Sequence, residues 1–362
     1  MVQINMLEFN KKILKKKGGN KMRTNSNRSV VLMIATLMLI IITFMIISAP
    51  VLAEQLKIGI SQIVEHPALD NCRDGFVDGM EKAGYNTGED VIYDFQNAQG
   101  EFSNAISIAQ KFKDDQVDII VAISTPIAQA AAQVTSEIPI IIGAITDPVA
   151  ANIAESWESS GNNITGMSDA APNEAQLKLI PRFFPQATKV GTIYNAGEAN
   201  SVVQVELSRE ICKELGLELV EATVSNSSEV LMAAQSLDGR VDVFYIVTDN
   251  VAVSAFSSIV KVSLEEEIPI IVADPTFVPD GGLTSFGIDY FTLGQKSAEK
   301  AVQVLEGKLP SEIPIGKLDQ AEELKFVINM DIAQQLNLEV PADLLGEADS
   351  IFLGGVSWDR SE

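Results

Sequence analysis

The residues best suited to chemistry in this chain fall just after short apolar runs. Ser61 and Gln62 close the first run, Leu56–Ser61, and lead into Glu65, His66 and Pro67. Ser124-Thr125-Pro126 follow Asp118–Ile123, and Thr146-Asp147-Pro148 follow Pro139–Ala144. Further on, Asn195, Glu198, Asn200 and Ser201 come after Val190–Tyr194. Thr248-Asp249-Asn250 come after Val241–Val247, and Asp274-Pro275-Thr276 after Pro269–Ala273. Side chains of this kind recognise rather than react. A hydroxyl beside the free N–H groups of a helix start accepts a carboxylate. Ser124-Thr125 fits that use, with Pro126 in the first helical turn. Asp147, Asp249 and Asp274 are able to receive an ammonium group. An anion site facing carboxylates is what a zwitterionic amino acid needs. The same residue types are the preferred helix N-caps, so each also carries a capping reading, and the two roles are compatible.

Catalytic constellations are thin by comparison. His66 is the single His, so a Ser-His-Asp triad would have to use it, and no activated nucleophile stands out. There is no G-x-S-x-G elbow, no P-loop, and no G-x-G-x-x-G after the first strand. One His and two distant Cys, Cys72 and Cys212, do not make a zinc site or a disulfide framework. Both Cys are expected to be buried thiols, and Gly75 and Gly79 to serve close helix packing. No cofactor or metal is expected. Phe277, Tyr290 and Phe291 are able to stack on a ligand ring, with core packing the more ordinary role.

The elements that position these residues repeat. The apolar runs are short and Ile/Val-rich with little polar alternation, the pattern of parallel strands buried on both faces. Further strands are expected at Val91–Gln96, Glu218–Val224, Gly282–Gly287 and Leu324–Asn329. Helices are expected between them, among them Pro67–Ala83, Thr125–Thr135, Asn173–Phe183, Ser201–Leu215, Ala252–Glu266 and Phe291–Glu306. Alternation of this kind predicts an α/β fold with doubly wound parallel sheets. Val117-Asp118-Ile119-Ile120 returns as Val241-Asp242-Val243-Phe244, and Ile138-Pro139-Ile140-Ile141 as Ile268-Pro269-Ile270-Ile271. The echo predicts two Rossmann-like lobes joined by a multi-crossover hinge, with the ligand between them. The expected division is 55–165 plus about 286–310 for the first lobe, 166–285 plus about 311–345 for the second, and 346–362 as a tail.

Charge separates an address from a body. The chain has 362 residues and a formal charge of −23. Residues 1–53 hold eight of the 26 basic and one of the 49 acidic side chains, which leaves the remainder at −30. Such acidity argues against nucleic-acid binding. The basic stretch precedes the apolar run Val30–Ile47 and the triplet Val51-Leu52-Ala53, the pattern of a secretory signal, with cleavage expected after Ala53. A retained anchor is the alternative. The codons implied by Lys16–Met22 suggest a ribosome-binding site, so translation is expected to start at Met22. Asn163-Ile164-Thr165 and Asn226-Ser227-Ser228 fit the N-glycosylation triplet.

The body resembles the extracytoplasmic substrate-binding proteins of ABC transporters, specifically the tryptophan/tyrosine-type group. The residues that carry the resemblance are Ile60–Asp70, Tyr93–Gly100, Val121–Pro126, Ile145–Val149, Tyr194–Ser201 and Ile246–Asn250, in that order, within a similarity spanning about Leu56 to Val340. The resemblance implies a type I periplasmic-binding fold without catalysis. It also implies a small solute, an aromatic amino acid in some members, and a membrane permease with its ATPase as partners. By the same resemblance Gln62, Ser124, Thr125, Asp147, Asn195, Asn200, Ser201, Thr248, Asn250 and Asp274 would line the site. The chain departs from many bacterial members in lacking a lipobox Cys, which leaves an N-terminal helix as the means of tethering. A monomer outside the cell membrane is expected. A ligand-sensing receptor domain and a secreted enzyme on the same scaffold are the competing readings.

Overall fold

The computed structural model describes residues 30–38, 55–318 and 323–360. The expected cleavage point at Ala53 and start at Met22 lie outside the described residues. Residues 30–38 are helical, with Val31, Leu32, Met33, Leu37 and Met38 exposed. No described helix is long and apolar enough to cross a membrane. This segment belongs to a unit separate from the body, which begins at Gln55.

In the body, strands and helices alternate. The first half runs β1 (Leu56–Gln62), α1 (Pro67–Lys82), β2 (Val91–Asn97), α2 (Phe102–Asp114), β3 (Ile119–Ile123), α3 (Thr125–Val134), β4 (Ile140–Ile145) and β5 (Ile164–Ser168). The second half runs α4 (Asn173–Leu177), α5 (Leu179–Phe183), β6 (Lys189–Tyr194), α6 (Ala199–Glu214), β7 (Glu218–Thr223), α7 (Val230–Ser236), β8 (Val243–Ile246), α8 (Asn250–Ser254), α9 (Phe256–Glu265), β9 (Ile270–Val272) and β10 (Thr284–Ile288). The chain then adds α10 (Tyr290–Leu305), β11 (Gly316–Lys317), β12 (Leu324–Asn329), α11 (Met330–Gln335), α12 (Ala342–Glu347), β13 (Ser350–Leu353) and β14 (Val356–Asp359).

The strands form two sheets with the same internal order. One reads β11-β5-β4-β3-β1-β2, the other β14-β13-β12-β10-β9-β8-β6-β7. The runs β2-β1-β3-β4-β5 and β7-β6-β8-β9-β10 correspond strand for strand and are parallel throughout. The duplicated sequence is therefore a duplicated doubly wound sheet. β3 and β4 are buried along their whole length, because helices cover both faces of a parallel sheet. The edge strand β7 is mostly half-exposed.

Several boundaries differ from the sequence reading. Residue 165 falls inside β5, which pairs with β4 in the first sheet. β5 was not apparent because Ile164-Thr165-Gly166-Met167-Ser168 is no run of β-branched residues. Gly166 sits there at φ +143°, where an added Cβ would lie 2.1 Å from the Ile142 carbonyl oxygen. β11 also joins the first sheet, whereas β12 joins the second, antiparallel to β10. The segment expected as a tail supplies β13 and β14. The expected helices Asn173–Phe183 and Ala252–Glu266 are each broken in two, around Lys178 and Ala255. The connections after β5, after β10 and after β11 all change lobe, so three segments join the two halves.

α10 follows the second lobe in sequence but packs on the first. Its partner is α1, and the two backbones approach closely at glycines. A Cβ on Gly75 would lie 2.0 Å from the Phe291 carbonyl oxygen, and one on Gly294 2.0 Å from that of Cys72. Cys72 itself is a buried free thiol, as is Cys212. We expect Gly294→Ala to destabilise the protein by about 1–3 kcal/mol through overpacking. Gly346 in α12 has open space around its Cα. Gly346→Ala should instead be neutral or stabilise by up to about 1 kcal/mol. Urea unfolding of both variants checks the pair.

Candidate functional site

In a doubly wound sheet the strands point their carboxyl ends at one crevice. Here two such crevices face each other, and a cavity lies between them. The first lobe contributes His66, Ala68, Leu69, Thr125, Ala144, Thr146 and Asp169. The second contributes Asn200, Thr248, Asp249, Asn250, Val253, Asp274 and Phe277, and Tyr290 comes from the start of α10.

Of the residues expected from sequence, Thr125, Asn200, Thr248, Asn250 and Asp274 meet on this wall. The other five stand off it, each for a visible reason. The Gln62 amide donates to the Val64 carbonyl and to Asp70. Ser124 is buried at the entry to α3 with φ +92° and ψ 151°, a conformation that suits glycine, and its side chain makes no cap bond. Asp147 accepts the backbone N–H groups of Val149 and Ala150. Asn195 accepts the N–H of Gly197, and Ser201 donates to Asp249. Apart from Ser124, whose buried Oγ has no hydrogen-bond partner among the described residues, these are turns, caps and supports. The candidate role of Asp147 as an ammonium acceptor is not matched by its position.

The wall also holds His66, Thr146 and Asp169, together with Phe277 and Tyr290, for which the sequence allows either a ligand ring or core packing. A signal was available for two of them. Asp169 and Tyr290 stand one and two residues beyond β5 and β10, as the strand-end rule requires. β5 lacks the run of β-branched residues that marks a strand in sequence, so the position after it does not stand out there.

Three buried carboxylates converge on the cavity. Asp169 accepts hydrogen bonds from the Thr146 hydroxyl at 3.0 Å and the Tyr290 hydroxyl at 2.9 Å. Asp249 accepts the Asn195 N–H, the Ser201 hydroxyl and the Ala252 N–H at 2.6–2.7 Å. Asp274 accepts the Thr276 N–H at 2.8 Å. Glu198, buried behind them, accepts the Asn250 amide at 2.5 Å. Burial pushes all four carboxyls upward, Asp274 and Glu198 to about 7. Among the described residues on the wall, none is Lys or Arg. The opposing donors are neutral. They are the Thr125 hydroxyl and the first N–H groups of α3, which have no intrahelical acceptor.

Several wall atoms are unsatisfied by the protein. Thr125 Oγ1, Asn200 Oδ1 and both ring nitrogens of His66 are buried without a hydrogen-bond partner among the described residues. Such atoms are costly unless something bonds them. Burial also holds His66 down to about 4, against the opposing pull of the Asp70 charge, which keeps it neutral. Its ring lies 5.9 Å from that of Phe277, which in turn lies 5.2 Å from Phe256. His66 and Phe277 thus add aromatic rings to the cavity wall.

A hinged two-lobed body with an interlobe polar cavity is the architecture of a type I periplasmic-binding protein. Residues 57–352 match the family model described as ABC transporter substrate binding protein, and the chain belongs to that family of solute-binding proteins. It is 44% identical to a tyrosine-binding protein of Clostridioides difficile over 79% of this chain and 82% of that one. An ABC-domain structure in complex with L-Trp from Streptococcus pneumonia superposes with a TM-score of 0.79 at 33% identity, covering 83% of this chain and all of that one. The ligand-free, open structure of a substrate-binding protein with adhesive properties from Clostridium difficile gives 0.61 at 42% identity, covering 80% and 97%.

A pH dependence follows from the carboxyls. Unfolded, Asp274 and Glu198 titrate near ~4. Between that value and about 7 the folded protein keeps protons that the unfolded chain has lost. Unfolding free energy then falls as pH rises through that window. We expect stability without added solute to decline from about pH 5 to about pH 8, and Asp274→Asn to flatten the decline. Urea titrations across that range measure both.

Proposed function

We propose that the cleft captures an aromatic L-amino acid outside the cell membrane and presents it to an ABC permease driven by its ATPase. The observation that carries the reading is the composition of one cavity wall. Asp169 and Asp274 provide an ammonium site, the start of α3 with Thr125 provides a carboxylate site, and Phe277 with His66 provides an apolar face for a ring. The tyrosine-binding relative and the L-Trp complex support the same solute class. The binding step needs no reaction. Solute bridging both lobes favours the closed arrangement by its differential affinity for that state, and release to the permease requires reopening. The N-terminal segment delivers the protein to the outer face, either by cleavage or as a retained tether.

Thermal shift of the body, residues 54–362, with L-tryptophan, L-tyrosine, L-phenylalanine and L-leucine tests this. A bound solute at 100-fold over its Kd should add about 2.7 kcal/mol of stability. Asp274→Ala and Asp169→Asn should weaken binding at least tenfold (about 1.4 kcal/mol) while Asp147→Ala leaves it unchanged. The absence of any shift with all four amino acids would overturn the reading.

A further inference from the structure

Asp169 and Tyr290 occupy an unusual place in the fold. Asp169 is the first residue after β5, on the connection that leaves the first lobe. Tyr290 follows β10 and Asp289, on the connection that returns to it. Their side chains meet at 2.9 Å, with the Tyr290 hydroxyl donating, and both border the cavity. Two of the three interlobe connections are therefore bonded to each other at the solute site. The Tyr290 ring is buried, so this hydroxyl has no access to bulk water as an alternative partner.

The position decides what Asp169 does. Its Oδ1 is held by Thr146 at the end of β4, and its Oδ2 by Tyr290. Both donors favour the carboxylate over the carboxylic acid, against the effect of burial. The titratable groups facing this pair from neighbouring elements are Asp274 after β9 and Cys72 in α1, with Asp289 beside Asp274. None of these is a cation. Hydroxyl donors thus do here the work that Arg or Lys does in a paired carboxylate.

We propose that Tyr290 is a positioning residue of the solute site, holding Asp169 ionised and aimed as the ammonium acceptor where two interlobe connections meet. The proposal rests on the amino-acid reading above and names how its ammonium site is maintained. It also accounts for a tyrosine rather than a phenylalanine at the buried start of α10, since packing alone has no use for the hydroxyl.

The test is isothermal titration of L-tryptophan and L-tyrosine into wild type, Tyr290→Phe and Thr146→Val between about pH 5 and about pH 9. Loss of one donor should weaken binding on the order of tenfold near neutral pH. It should also move the pH at which affinity falls by half upward by about one unit, so that affinity recovers in alkali. Asp169→Asn should bind weakly with that transition gone. A purely structural tyrosine would lower the unfolding midpoint and leave the pH transition in place, which overturns the proposal with the amino-acid reading intact. Thr146→Val carries the same prediction if Tyr290→Phe fails to fold. Binding of neither amino acid by wild type overturns the proposal together with the reading it rests on.

Discussion

Buried charge without a counter-charge is the constraint around which this molecule is arranged. Asp169, Asp249 and Asp274 lie at the junction of two lobes where neither Lys nor Arg is seen among the described wall residues. Desolvated carboxylates are tolerated only if protonated or richly hydrogen-bonded. Asp249 takes the second course, with three donors. The supports around the cavity make sense in that light. Ser201 and the Asn195 backbone hold a carboxylate in place rather than meeting a solute themselves. A cationic group entering the cleft supplies what the protein withholds, and closing on it becomes favourable.

The duplicated sheet explains why such a site is available at all. Each half directs strand ends, with their Ser, Thr, Asn and Asp residues, to its own crevice. Facing the two copies doubles the supply of short polar side chains without needing long charged ones. The cost appears in the backbone. Ser124 at φ +92° and Ala144 at φ +58° are non-glycine residues in left-handed conformations, and they flank the same wall. Strain of this kind persists because the surrounding sheet and helix fix the residues on both sides.

The lobes and their order were legible in the sequence because buried parallel strands leave continuous apolar runs, and two copies of a run confirm one another. The weak strands were not. β5 carries a glycine for close approach, and β11 spans Gly316–Lys317 alone. The site was half legible for a related reason. Residues such as Thr125 and Asp274 sit at the ends of strong strands and were found by rule. Asp169 and Tyr290 sit at the ends of strands that cross between lobes, where the rule needs the topology first. Asp147 and Asn195 show the opposite error, since a short polar residue after a strand is as often occupied in its own turn.

The glycine contact between α1 and α10 has a consequence for how the molecule is built in time. Gln295 donates to Asp78 across 217 positions of sequence. The first lobe, although it begins the body, leaves the α1 face that carries Gly75 and Gly79 uncovered until α10 arrives. A whole second lobe lies between them. Contacts of such long separation form late, because the intervening chain must be ordered or looped before they repay it. The N-terminal lobe therefore stays incomplete until α10 and β11 arrive, and the second lobe until β12, β13 and β14 follow. A nascent body lacking its final quarter has neither sheet complete, and its first lobe still exposes the groove where α10 belongs.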